Sequence, residues 1–137
     1  MLFRSMFILD ENISESEVWR LREAGLAVRV IGVDLGEKSD ADEEIIPLLH
    51  RLKQPTFFTK DGDFWDRSLL HAGYCLVRLD VPEHEGEVAA AIRRFLRHPW
   101  FNTHAKRLGK VVHVHAQGVK YWQLGRPGLQ ALAWDER

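Results

Sequence analysis

The feature that most constrains the fold is a regular alternation of short apolar runs with helix-like segments between residues 6 and 97. The apolar runs predict strands at residues 6–9, 27–33, 56–59 and 74–79. The segments between them are about ten residues long, and their apolar positions recur at helical spacing. This alternation is typical of βαβ units, so it predicts an α/β fold with a mainly parallel sheet.

The helix-like segments have recognisable starts and stops. Residues 14–17 match the capping box, in which a serine and a glutamate satisfy backbone amides reciprocally, and Gly25 is a C-terminal stop. The second helix is predicted to start near Asp40 or Asp42. Pro47 predicts that this start is irregular or late, because proline beyond the first turn removes a backbone hydrogen bond. A third helix is predicted over residues 64–71. Pro82 is predicted to open a fourth helix, whose acidic start and basic end complement the helix dipole.

Two of the predicted strands end in acidic motifs, and a third acidic motif opens the second helix. The positions concerned are Asp10, Glu11 and Asn12 after the first strand, Asp42 at the helix start, and Asp61 and Asp63 after the third strand. The carboxyl ends of parallel strands meet along one edge of a sheet, where ligand sites form. Carboxylates that are far apart in the chain are therefore predicted to converge in one pocket.

A convergence of this kind predicts a metal site. Carboxylates repel one another and need a hard cation, usually Mg²⁺ or Mn²⁺, to hold them together. One or two such ions activate a water and stabilise the charge on a phosphodiester during hydrolysis. Thr59 and Asn12 are candidates for orienting the ligands. The alternative interpretation is that the acids are surface loop residues and helix caps, with Asp42 as an N-cap.

The acidic motifs occur in the order Met6–Asn12, Gly36 followed by residues 42–45, and then residues 59–64. In that order and at that spacing the sequence resembles the PIN-like domain family, and it is most similar to the small branch grouped with VapC-type toxins. The resemblance covers most of the predicted alternation of strands and helices. It implies a three-layer, Rossmann-like PIN domain over residues 1–98 and, by analogy, an Mg²⁺-dependent endoribonuclease.

Matched residue by residue, the resemblance places the acidic site, with its catalytic residues and metal ligands, at Asp10, Asp42, Asp61 and Asp63. Further candidates for holding the cofactor are Glu11, Asn12 and Thr59. By analogy, the protein is the toxin component of a toxin–antitoxin pair and has an antitoxin protein as a partner. PIN nucleases generally carry the second acid as a glutamate inside a helix, whereas here an aspartate stands at a helix start. The alternative function is a catalytically silent PIN-like module that binds RNA or a partner protein.

Residues 99–137 depart from the family pattern and predict additional β-structure. Residues 110–115 alternate in polarity, residues 116–118 predict a turn, and residues 119–124 predict the second strand of a hairpin. Residues 129–134 are a candidate third strand. The region is therefore predicted to be a C-terminal β-hairpin appendage that packs on the same domain or on a dimer mate. Because exposed apolar edge strands pair with other chains, it also predicts a homodimer.

Charge is distributed unevenly along the chain. Residues 1–90 carry 10 Lys and Arg against 18 Asp and Glu, whereas residues 91–137 carry 9 against 2. This asymmetry suits a protein that binds a metal at one place and a polyanion, here RNA, at another. The candidate RNA-binding residues are Arg93, Arg94, Arg97, Lys106, Arg107 and Lys110. The alternative is that the basic end docks on an acidic surface of its own subunit or of a partner.

Three tryptophans in the basic region, Trp100, Trp122 and Trp134, resemble a base-stacking surface beside these cations. Core or dimer-interface positions are the alternative interpretation. His113 and His115 share a face of a predicted strand, so they could bind zinc together with His98 or His104. We favour ordinary strand histidines, because no cysteine supports a zinc site.

Other classes of protein fit less well. A phosphoreceiver domain also pairs acids at strand ends, but it requires a lysine before a proline late in the chain, and Lys53 comes too early. The apolar runs are shorter than the roughly 18 to 20 residues that a membrane-spanning helix needs. No signal peptide is expected, and the single cysteine, Cys75, fits a reducing compartment. We therefore expect a cytoplasmic protein with no membrane association.

Overall fold

The computed structural model describes residues 6–35 and 42–134, which form an α/β fold around one mixed, mostly parallel sheet. Its strands are β1 (Met6–Leu9), β2 (Val28–Val30), β3 (Pro55–Thr59), β4 (Cys75–Asp80), β5 (Lys110–His115), β6 (Gly118–Gln123) and β7 (Gln130–Ala133). The α-helices are α1 (Glu15–Glu23), α2 (Asp42–Arg51), α3 (Glu87–Arg97) and the single turn α4 (His104–Arg107). The predicted α/β class and mainly parallel sheet are confirmed.

The strand order is β2-β1-β3-β4-β5-β6-β7. The first five strands in this order are parallel, and β6 is antiparallel to both of its neighbours. In register, Leu9 pairs with Phe58, and Thr59 pairs with Arg78. The carboxyl ends of β1 and β3 are therefore neighbours at one edge of the sheet. Because β5 pairs in parallel with β4 along all six of its residues, residues 110–134 continue this sheet.

Side chains at alternate strand positions pack into two separate cores. Leu9, Phe58 and Val77 belong to a cluster that includes apolar residues of α1 and α3. Ile8 and Phe57 belong to a second cluster that includes Ile45 and other apolar residues of α2. This arrangement explains why β3 lacks polar alternation, since all five of its residues are buried and each face meets a core.

Two local predictions at helix starts are wrong. Ser14 is the N-cap of α1, but its side chain makes no capping hydrogen bond. The Ser14 hydroxyl instead lies 3.2 Å from the Ser16 hydroxyl. The Glu17 carboxylate, which a capping box would direct back to residue 14, accepts from the start of α3. Pro82 does not open α3, which begins at Glu87 after Gly86 as N-cap. The described part of α2 begins at Asp42 and continues through Pro47, so the irregular or late start that Pro47 predicts is not observed there.

The helix predicted over residues 64–71 is also wrong. Two short 3-10 turns, Gly62–Phe64 and Arg67–Leu69, take its place. Asp61 caps the first turn and Asp66 caps the second, each by accepting from the backbone N–H two residues later. Each cap begins a separate turn, so the segment forms two short turns and no continuous helix. Among the described residues, no helix is long and apolar enough to cross a membrane.

Candidate acidic site

Asp10 is the centre of the acidic site, at the point where β1 ends. Its backbone N–H donates to the carbonyl of Phe58 at 2.9 Å, which extends the pairing of β1 with β3 by one bond. The side chain is buried, with 5% of the residue exposed. The Thr59 hydroxyl donates to Oδ2 of Asp10 at 2.6 Å, and the backbone N–H of Glu11 donates to Oδ1 at 2.8 Å. Both carboxylate oxygens are thus held by the ends of two neighbouring strands.

Asp61 is joined to the same arrangement through Thr59. The backbone N–H of Asp61 donates to Oγ1 of Thr59 at 3.0 Å, so one hydroxyl accepts from Asp61 and donates to Asp10. Oδ1 of Asp61 accepts the backbone N–H of Asp63 at 2.9 Å and starts the first 3-10 turn. The buried Thr59 hydroxyl therefore links the two strand ends that the sequence predicts to lie close together.

The electrostatics of Asp10 reflect this setting. Burial raises the pKa of the Asp10 carboxyl above its ordinary value, and the negative charges of Asp61 and Glu11 raise it further. The hydrogen bonds from Thr59 and from the Glu11 backbone oppose the rise but do not cancel it. A buried carboxyl that is crowded by like charges favours a proton or a cation as its partner.

The other predicted site residues lie in different settings. Glu11, Asn12 and Asp63 are exposed around Asp10 and Asp61. The side chain of Asp42 lies outside the described residues. Within the described part of the chain, no group of three or more His, Cys, Asp or Glu is placed to hold a metal ion. The described donors nevertheless fit a hard divalent ion, because Mg²⁺ is commonly bound by one or two carboxylates together with waters.

A cation next to the acidic pair was missed by the sequence analysis. Arg78 pairs in register with Thr59, and its guanidinium lies 3.7 Å from where a Cβ on Gly62 would stand. Gly62 separates Asp61 from Asp63, so a positive charge borders the acidic turn. Arg78 also bonds Asp80 at 3.1 Å. The available signal was a charged residue inside the otherwise apolar run that forms β4.

A cleft of about 530 Å³ opens beside this edge of the sheet, between the loop after β1 and the loop after β4. Asn12 and Ser14 line one side, and Glu83 and His84 line the other. Lys60, which follows Thr59, forms an ion pair with Glu83 across the cleft. The cleft therefore places polar side chains beside the carboxyl ends of β1 and β3, although neither Asp10 nor Asp61 is among the residues that line it.

The histidines are used for packing and hydrogen bonding. Nε2 of His113 lies 3.3 Å from Oδ2 of Asp80, and the ring packs edge-on against Trp65. Burial lowers the pKa of His113, and the charge of Arg78 lowers it further. His98 packs against Phe101 and Trp134. Of the described residues, none of these histidines belongs to a group that could hold a metal, so nothing here favours the zinc alternative.

The predicted RNA-binding residues separate into two groups. Arg93, Arg94 and Arg97 are exposed on α3, and Lys106 is exposed on α4. Arg107 is only 3% exposed, and its guanidinium donates to Thr56 at 3.1 Å and to the carbonyl of Phe101 at 2.8 Å. Lys110 is also buried, and its ammonium donates to the carbonyl of Lys106. These contacts hold Arg107 and Lys110 inside the fold, whereas the other four predicted RNA-binding residues are exposed.

Comparison of the chain with protein-family models, with curated proteins and with solved structures gives no match.

Proposed function

We propose that the protein is a divalent-cation-dependent endoribonuclease with a three-layer, PIN-like fold. One observation carries the proposal: Asp10 and Asp61 follow neighbouring parallel strands, and the Thr59 hydroxyl donates to the Asp10 carboxylate and accepts the backbone N–H of Asp61. This is the edge at which open α/β sheets bind ligands. The resemblance of the acidic motifs to PIN-like domains supports the choice of RNA as substrate, and it supports a role as the toxin of a toxin–antitoxin pair with an antitoxin partner.

Asp10 and Asp61 would hold the cation, with Asp42 as the further ligand that the sequence motif indicates. When bound, Mg²⁺ or Mn²⁺ supplies Lewis-acid stabilisation of phosphodiester charge and lowers the pKa of a bound water. The remaining tasks belong to the chain. Thr59 fixes the orientation of the Asp10 carboxylate, because its hydroxyl is buried and committed at both ends.

One cation is placed to receive the substrate. The Arg78 guanidinium borders the turn that carries Asp61 and Asp63, where it can bind a phosphate oxygen. Lys60 lies in the polar cleft, but it is paired with Glu83, and two further glutamates also line the cleft. The positive charge that offsets the repulsion of a polyanion by the acidic site therefore comes from Arg78.

The test compares Asp61→Asn with Asp66→Asn. Both aspartates cap a 3-10 turn through the same backbone geometry, but only Asp61 is linked to Asp10. In an RNA-cleavage assay with millimolar Mg²⁺, Asp61→Asn is expected to lose at least about 10- to 100-fold in rate, the range for loss of a residue that supports a metal ligand. Asp66→Asn should keep wild-type cleavage.

Two outcomes would overturn the proposal in different ways. Equal cleavage by Asp61→Asn and the wild-type protein would mean that the catalytic site lies elsewhere. Absence of cleavage by the wild-type protein, together with no rise in its melting temperature on adding Mg²⁺, would favour a catalytically silent module that binds RNA or a partner protein.

A further inference from the structure

A cationic pocket lies at the amino ends of the parallel strands, opposite to the carboxyl ends where the acidic site lies. Lys110 is the first residue of β5, whereas Asp10 follows the last residue of β1, and these strands run parallel within one sheet. The pocket has a volume of about 460 Å³ and is lined by Pro99, Trp100, Lys106, Lys110, Gln123 and Arg126. None of these six lining residues carries a carboxylate.

The three cations of the pocket crowd one another. Burial lowers the pKa of Lys110, and the positive charges of Arg126 and Lys106 lower it further. Because no carboxylate lines the pocket, this repulsion is not balanced by a lining residue. An anion that enters the pocket would relieve it, so the pocket is built to favour negatively charged ligands.

Lys106 is held at the rim in a defined position. Its ammonium donates to the carbonyl of Pro99 at 2.8 Å and to Oδ1 of Asn102 at 3.2 Å. The Thr103 hydroxyl accepts the backbone N–H of Lys106 at 3.2 Å and so fixes the start of α4. An ammonium has three N–H donors, and two are used here, which leaves one for a ligand.

Trp100 supplies an aromatic surface beside these charges. It is 54% exposed, and its backbone N–H donates to Nδ1 of His98 at 3.1 Å. The other two tryptophans of the basic region already contact other groups of the protein. Trp122 stacks on Trp65 with ring centroids 4.1 Å apart, and Trp134 is buried with its indole N–H on the carbonyl of His115. Of these three rings, Trp100 is the one that can accept a stacked base.

We propose that this pocket binds a nucleotide of single-stranded RNA, with a base stacked on Trp100 and a backbone phosphate on Lys106 and Arg126. Single strands offer alternating flat bases and phosphates, which is the pattern that an exposed aromatic ring among cations recognises. An acidic peptide would satisfy the cations but would leave Trp100 unused. The choice of RNA rests on the proposed function, whereas the pocket itself does not depend on the acidic site.

The experiment measures binding of a fluorescently labelled single-stranded RNA of about 12 nucleotides, a length within the usual range of such sites. EDTA is present, so that binding is measured without cleavage. Trp100→Ala is expected to weaken binding at least about fivefold, the lower end for loss of one stacked base. Trp100→Phe, which keeps a ring, should lie between Trp100→Ala and wild type.

The salt dependence of RNA binding tests the phosphate contact separately. The slope of log affinity against log salt concentration should become less steep by about 0.7 in Arg126→Ala, as expected when one phosphate contact of a single strand is lost. Matched controls are Trp19→Ala, which removes a 61% exposed tryptophan on α1, and Arg51→Ala, which removes an exposed cation on α2. Both controls should bind RNA like the wild-type protein, and melting curves check that all variants fold.

The outcomes separate this proposal from the proposed nuclease. Weaker binding by Trp100→Ala supports the pocket even if the wild-type protein does not cleave RNA. Wild-type affinity and salt slope in both Trp100→Ala and Arg126→Ala would overturn the pocket even if cleavage depends on Asp61. If polyglutamate displaces RNA and Trp100→Ala binds normally, the pocket is instead a surface for acidic protein segments, and the RNA assignment is wrong.

Discussion

The carboxylate of Glu17 caps the N-terminus of α3 by accepting the backbone N–H groups of Gly86 and Ala89, at 2.8 and 2.9 Å. Gly86 is the N-cap residue and has a positive φ of 84°, a conformation that favours glycine. A glycine has no side chain to satisfy the first amides of the helix, and Glu17 supplies the missing acceptor from α1. Arg20 contacts Glu17 at 3.6 Å and Glu85 at 2.8 Å, which ties α1 to the loop before α3.

The first prediction tests this cap. Glu17→Ala is expected to lower the free energy of unfolding by about 2 to 4 kcal/mol, because two backbone amides lose their acceptor and the amide of Ala89 is buried. Glu15→Ala in the same turn removes an exposed side chain and should change stability by about 0.5 kcal/mol or less. Urea denaturation of both variants provides the measurement. Equal effects from the two substitutions would show that the cap contributes nothing.

The second prediction concerns pH. Because the pKa of Asp10 is raised from 3.8, the folded protein binds more protons at this group than the unfolded chain between that value and the folded-state pKa. The contribution of Asp10 to the free energy of unfolding therefore falls as the pH rises through this window. Melting curves from about pH 3 to pH 7 should show the wild-type protein losing stability relative to Asp10→Asn.

Added Mg²⁺ provides the check on this pH effect. A cation binds the ionised carboxylate, so millimolar Mg²⁺ at neutral pH should raise the melting temperature of the wild-type protein more than that of Asp10→Asn. Parallel pH profiles for the two proteins would mean that Asp10 titrates alike in the folded and unfolded states. That result would remove the electrostatic argument for a cation at Asp10.

The third prediction is that the chain forms a homodimer. The two edges of the described sheet are β2 and β7, and along β7 the exposed residues alternate with partly buried ones. An edge strand of this kind can pair with a second copy. Light scattering at micromolar concentration should therefore give a dimeric mass. Ala131→Lys, which places a charge on the edge, should shift the mass toward the monomer, whereas Ala24→Lys after α1 should not. A monomeric wild-type protein would contradict the prediction.

Much of the fold follows from local patterns in the sequence. The apolar run of residues 56–59 predicts a strand of nearly the observed length, because a strand buried on both faces must be continuously apolar. The placement of Asp10 and Asp61 at one edge follows from the parallel sheet alone. The stop of α1 at Gly25, which has a positive φ of 89°, also follows from local residue preferences.

The errors have a common cause. Asp61 and Asp66 are equally good caps for short turns, and the apolar spacing of residues 64–71 cannot reveal that two caps divide the segment. The sequence pattern predicts Arg107 as a surface cation. Its guanidinium instead donates to the Thr56 hydroxyl in β3 and to the carbonyl of Phe101. In both cases the deciding hydrogen bonds involve polar groups that a hydrophobic pattern does not describe.

The sequence by itself therefore determined the fold class, the mainly parallel sheet and the identity of the carboxylates that follow β1 and β3. Only the tertiary structure decided that Thr59 joins Asp10 to Asp61, that Glu17 leaves its own helix to cap α3, and that Trp100 is exposed. The physical reason lies in the range of the interactions. Periodicity and turn preference act over a few neighbouring residues, whereas Glu17 and Ala89 are 72 residues apart and meet only when α1 and α3 pack on the same face of the sheet.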